Sequence, residues 1–264
     1  MQSFNTLKLT VDKKGLATVT MNRPEVHNAF NAEMIAELTQ CYKQLNGDKS
    51  VRTILLQAAG KSFSAGADIN WMKGMVTATQ EDNKKDSENL AALLRTINFC
   101  GKTTIAKVNG LAFGGGVGLI CCCDIAIAEN NAKFGLTEAK LGLVAAVISP
   151  YVIDAIGMRK ARRYLQTAEV FDAEQAHKMG ILSESVESDQ LDNTVEDMIK
   201  TLSITGPNAK EISKKLVMSV VGRTLPQQQK IDEYTTQVIA AVRVSEEGQR
   251  GLKAFLDKQK PDWT

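Results

Sequence analysis

Three short segments of this 264-residue chain have residue types suited to holding and moving charge. The first, FGGGVGLICCCD (Phe113–Asp124), sets Gly114, Gly115 and Gly116 ahead of an apolar run. A helix starting near Gly115 and running through Cys122 leaves its first amides without internal partners. Its dipole adds partial positive charge at that end. With no side chains in the way, the amide of Gly115 or Gly116 can receive an anionic oxygen. Tight helix–sheet packing accounts for the same glycines. A phosphate loop requires Lys-Ser/Thr after the glycines, and none follows. A dinucleotide loop requires a third glycine where Leu119 stands.

The second segment, KSFSAGADI (Lys61–Ile69), follows an apolar strand pattern. Ala65, Gly66 and Ala67 again leave backbone amides uncovered, which also suits a plain turn. Two such segments facing each other would form an oxyanion hole, in which paired N–H donors stabilise negative charge building on a carbonyl oxygen. The third, AKFGLTEAKLGL (Ala132–Leu143), sets Glu138 among small and apolar residues. A carboxylate there can move protons, although the ordinary place for a glutamate is the surface.

These segments need a frame. Alternating or continuously apolar stretches predict strands over Leu7–Val11, Leu16–Met21, Val51–Ala58, Thr104–Val108 and Ile125–Ala128. Asn31 caps a helix from Ala32 to about Leu45, and Asp172 caps one that Gly180 closes. A charged helix is expected over Asn83–Phe99. Helices follow over about Asn208–Val221, Gln227–Val242 and Ser245–Gln259. Strands alternating with helices predict an α/β protein with its sheets covered by helices. The division expected is a core over residues 1–200 and a helical part over 201–264.

Composition excludes several classes. Net charge is +2 and aromatics make up 5%, so neither nucleic acid nor an anionic membrane is indicated. Five cysteines without a CxxC pair, and two histidines, argue against a structural metal. No run is long and apolar enough to span a bilayer, and the N-terminus lacks a signal-peptide pattern. A cytoplasmic, reduced protein is expected. A hydrolase would need a nucleophile beside a positioned base, and His27 and His177 do not supply that pattern.

In order and spacing, NRPEVHNAF (Asn22–Phe30), SFSAGADI, VNGLAFGGGVGL, CDIAIA, KFGLTEAKLGL and GLKAFLDKQKP (Gly251–Pro261) resemble the crotonase superfamily, also called the enoyl-CoA hydratase/isomerase family. The resemblance runs nearly the full length. It implies a crotonase, ClpP-like spiral of ββα units with a C-terminal trimerisation region, assembled as a trimer or dimer of trimers. It implies an acyl-CoA thioester as substrate and no separate cofactor or metal. The thioester carbonyl would lie on the amides of Ala67 and Gly115, with the glycines making room for it beside Gly114. The adenine pocket maps to Val26, Ala65, Asp68 and Ile69 along the Gly66 loop. Phe255 and Lys258 match residues that reach the CoA nucleotide, often from a neighbouring subunit, and Lys61 could approach phosphate.

One departure stands out. Hydratases of the family carry two glutamates. Glu138 matches the second, but Gly118 stands where the first belongs. Glu138 alone then serves either a hydratase or an isomerase. A non-catalytic acyl-CoA-binding protein is a third possibility. The segments GGGVGL, LVAAVISPYV and ARRYLQTAEVFDA resemble bacterial methylglutaconyl-CoA and γ-carboxygeranoyl-CoA hydratases, whose substrates are branched at the β-carbon and carry a second carboxylate. Gly118 would open space for the branch. Lys73, Tyr151 and Arg163 are candidates to hold the distal carboxylate.

Overall fold

The computed structural model describes residues 4–263. In chain order the strands are β1 (Leu7–Val11), β2 (Leu16–Met21), β3 (Thr53–Ala58), β4 (Thr103–Val108), β5 (Leu111–Phe113), β6 (Ile125–Glu129), β7 (Lys133–Gly135), β8 (Val170–Asp172) and β9 (Glu184–Val186). The helices are α1 (Ala32–Gly47), α2 (Ile69–Thr77), α3 (Gln80–Asn98), α4 (Gly115–Cys122), α5 (Ser149–Thr167), α6 (Ala173–Met179), α7 (Leu191–Ser203), α8 (Pro207–Val220), α9 (Leu225–Val244) and α10 (Glu246–Leu256). Two 3₁₀ turns matter to the site, Pro24–Val26 and Glu138–Leu141.

The main sheet has the order β1-β2-β3-β4-β6-β9, antiparallel at β1–β2 and parallel thereafter. Strand β3 reads TILLQA, and Thr53, Ile54, Leu55 and Leu56 are all buried, as expected of a parallel strand covered on both faces. A small second sheet, β5-β7-β8, stands apart from it. The α/β architecture with C-terminal helices agrees with the sequence reading.

Local chemistry sets the boundaries. Asn31 Oδ1 accepts the Met34 amide at 2.9 Å, and Asp172 Oδ1 accepts that of Gln175 at 2.9 Å. Thr79 and Asp82 form a reciprocal capping box, so α3 begins at Gln80, ahead of the expected Asn83. Helices α3 and α9 pack together and are tied by the Arg95–Asp232 ion pair. Among the described residues, no helix is long and apolar enough to cross a membrane.

Candidate active site

The loop carrying Ala65–Ala67 is held by its own backbone. Phe63 N donates to Asn109 O (2.8 Å), Ser64 N to Leu111 O (3.0 Å) and Ala65 N to His27 O (2.9 Å). Phe30 N donates to Gly66 O (2.7 Å), and Asp68 N to Phe30 O (2.8 Å). The buried Asn28 ties the NRPEVHNAF segment to this loop, its Nδ2 donating to Ala59 O and Ser62 O, each at 2.8 Å. Gly66 N reaches Ser64 Oγ at 3.3 Å. Between Phe63 and Asp68, Ala67 is left as the amide with no protein acceptor among the described residues.

The glycine run is equally constrained. Gly114 N donates to Gly135 O (2.9 Å), and Gly118 N donates to Gly114 O (3.1 Å) as the first turn of α4 closes. The Gly115 N–H precedes that bond and has no protein acceptor among the described residues. Gly114 has φ 50° and ψ −116°, a backbone conformation that demands glycine.

The bare faces of these glycines meet protein. A Cβ on Gly114 would lie 2.9 Å from Glu138 Oε1, one on Gly115 2.9 Å from the Phe30 ring, and one on Gly116 3.0 Å from Ser64 Cβ. The packing reading therefore explains why glycines stand here. What is left without a protein partner among the described residues is the Gly115 amide.

Gly118 corrects the sequence reading. A Cβ there would lie 2.5 Å from Ile148 Cγ2. Gly118 is buried under Ile148 and does not line the cavity described next, so it leaves no room for a substrate branch.

A cavity of about 470 Å³ brings the three segments together. Ala65, Gly66, Ala67, Gly114, Gly115 and Glu138 all line it. Its remaining walls are largely apolar, among them Met72 and Met75 of α2, Leu143, Ile148 and Ile239 of α9. Glu138 is its one acidic lining residue, and Oε2 of that side chain is buried without a partner among the described residues. Burial pushes the Glu138 carboxyl up to about 7, slightly opposed by a hydrogen bond from its own amide.

The 3₁₀ turn bearing Glu138 is clamped by α10. A Cβ on Gly251 would lie 2.1 Å from Leu141 O, and one on Gly142 2.7 Å from Glu247 O. Backbone thus meets backbone at both points. The Trp263 ring covers the same two glycines, 2.9 Å from either added Cβ.

The other residues singled out from sequence are scattered. Phe255 lines the cavity of its own chain, whereas Lys258 follows α10, exposed, with φ 56°. Val26, Lys61 and Ile69 lie off the cavity wall. Asp68 caps α2 and pairs with Arg23 at 2.9 Å. Burial raises its carboxyl, but the hydrogen bonds from Arg23, Asn70 and Trp71 outweigh this and hold it below the usual range.

None of the three candidates for a distal carboxylate lines the cavity. Lys73 is exposed. Arg163 is on the surface, with its Nε 2.7 Å from Glu169. Tyr151 is buried beside a separate cavity lined by Cys121 and Asp154. The residue that sequence reasoning missed is Arg243 of α9, which is buried and does line it. Its signal was a lone basic residue inside QVIAAVRV (Gln237–Val244).

Comparison with known proteins agrees with this geometry. The sequence model of the enoyl-CoA hydratase/isomerase family matches residues 12–264. The crystal structure of an enoyl-CoA hydratase from Shewanella pealeana superposes with a TM-score of 0.80 at 42% identity, covering 98% of this chain and 96% of that one. The 1,2-epoxyphenylacetyl-CoA isomerase of Escherichia coli is 31% identical, with 96% of each chain covered. The (E)-benzylidenesuccinyl-CoA hydratase of Thauera aromatica is 30% identical over 93% of this chain and 94% of its own. Fold, cavity and near-complete coverage establish that the chain belongs to the enoyl-CoA hydratase/isomerase family.

Proposed function

We propose that this enzyme adds water across the C2–C3 double bond of an enoyl-CoA, or removes it in reverse, with Glu138 as the sole acid/base. The observation that carries the reading is a carboxylate whose buried Oε2 has no partner among the described residues, in the same cavity as two free amides. The amides of Ala67 and Gly115 receive the thioester oxygen. Glu138 takes a proton from water as hydroxide attacks C3, and negative charge moves onto that oxygen. Protonated Glu138 then returns the same proton to C2. A carboxyl poised near 7 serves both directions, and no metal or further cofactor enters the balance.

The acyl group proposed is branched at the β-carbon and carries a second carboxylate, as in 3-methylglutaconyl-CoA. The motifs shared with such hydratases support this. So does the cavity's charge, since Lys140, Arg243 and Lys260 line it against one acid. The Thauera relative acts on a thioester whose name denotes a dicarboxylic acid. CoA would run outward past Ala65 and Ile69 toward Val26 and Lys61, with Phe255 and Lys258 over it.

The enzyme is further proposed to assemble as a trimer or dimer of trimers. Helix α8 buries none of its own residues and exposes Ile212, Leu216, Val217 and Val220, a face suited to other copies. All five cysteines are free, in keeping with a reducing cytoplasm.

A panel of 3-methylglutaconyl-CoA, crotonyl-CoA and a 3-enoyl-CoA, read by the gain of one water mass, tests the reaction. The second reading is double-bond isomerisation, favoured by the single carboxylate. In D₂O it would move the double bond of the 3-enoyl-CoA with no water gained.

A further inference from the structure

We propose that Arg243 is the specificity-determining residue of this site, binding an acyl chain that ends in a carboxylate. The inference rests on the acyl-CoA reading above and names the group that meets the far end of the chain.

Arg243 sits near the C-terminal end of α9 and is about nine-tenths buried. Its polar contacts all converge on one nitrogen. Nη1 donates to Asp86 Oδ2 at 3.1 Å, Ser87 Oγ at 3.2 Å, and Asn83 O and Oδ1 at 3.4 Å each. Nη2 has no partner among the described residues, and Nε is buried without one. Nε is closed off by the surrounding protein, so Nη2 is the guanidinium donor left to meet a carboxylate in the cavity.

A buried donor without a partner is costly, and a cavity-lining donor can find its partner in the ligand. The counter-ion Asp86 is shared between two donors. Asp86 Oδ1 accepts the Trp71 indole N–H at 3.0 Å, while Oδ2 faces Nη1. Trp71 lines the cavity, with the Arg243 guanidinium 6.0 Å from its ring centroid. The guanidinium is therefore fixed through Nη1 by Asp86, Ser87 and Asn83, with Nη2 unfilled. The apolar walls of Met72, Met75 and Ile239 would follow the methylenes before the charge.

The test uses saturated thioesters, which cannot be hydrated, so it reads binding without turnover. Isothermal titration would compare succinyl-, glutaryl- and adipyl-CoA with their methyl-ended counterparts of equal length. At one length the carboxylated ligand binds roughly 10- to 100-fold more tightly, the range of a charge-assisted hydrogen-bonded pair. Arg243→Met brings that ratio to near one, and Arg243→Lys keeps part of it. Asp86→Ala removes the internal competitor and raises the ratio.

No preference at any length, or a ratio unmoved by Arg243→Met, overturns the proposal. So does an Asp86→Ala variant that weakens both ligands equally, as a purely structural ion pair would. Should Arg243→Met fail to fold, the wild-type ratio and Asp86→Ala decide. An enzyme that adds water to no enoyl-CoA defeats the hydratase reading and leaves these ratios standing.

Discussion

Replacing Glu138 with Gln should stabilise the free protein increasingly as pH rises. Burial lifts the carboxyl from 4.5 to about 7 in the folded chain. A carboxyl raised on folding binds more protons in the native state than in the unfolded one. Its stabilising effect is present below about 4.5 and is lost as pH climbs through 7. That rise corresponds to about 3 kcal/mol at full ionisation.

Most of that change falls between about pH 5 and 8.5, where the wild type should lose roughly 2–3 kcal/mol relative to Glu138→Gln. Other titrating groups, such as Asp86 and Asp232, are common to both proteins and cancel in the difference. Urea unfolding of the two proteins at fixed protomer concentration, at three or four pH values, measures it. The same carboxyl should set an acid limb near pH 7 in wild-type kcat/KM, absent from the residual activity of the variant. A stability difference independent of pH would refute the account of a desolvated carboxyl.

Deleting one amide with Ala67→Pro should lower kcat by about 10²- to 10³-fold with a smaller change in KM, checked by steady-state kinetics. Gly118→Glu should destabilise the chain by about 1–3 kcal/mol through collision with Ile148, and adding Ile148→Ala should recover part of it in chemical denaturation. Leu216→Asp with Val220→Asp, both on the exposed face of α8, should convert the proposed trimer to smaller species by light scattering with little change in protomer fold.

The long elements were legible in the sequence because their apolar patterns repeat over enough residues. Strand β3 and helix α1 came out within a few residues of their ends. Strands β5, β7, β8 and β9 have three residues each, too few for a period of two to register. Helix α2 was hidden because its cap, Asp68, ends a segment rich in turn-forming residues. The three cavity segments could be read from type and spacing, but the direction of a missing Cβ could not. Gly118 looked open from sequence and is closed by Ile148. Lys73, Tyr151 and Arg163 had plausible chemistry and point elsewhere. Arg243 is nearly 160 residues from Asp86 in sequence, a pairing that only tertiary packing creates.

The placement of the chain's two tryptophans has a practical consequence. Trp71 forms part of the cavity wall, and Trp263 lies over Gly142 and Gly251, where α10 meets the turn bearing Glu138. Ultraviolet emission from the unlabelled protein is therefore a built-in optical reporter. Occupancy of the cavity should alter the Trp71 signal, while any lifting of α10 should alter that of Trp263. Single Trp→Phe variants would separate the two, timing ligand arrival and helix movement in the same stopped-flow trace.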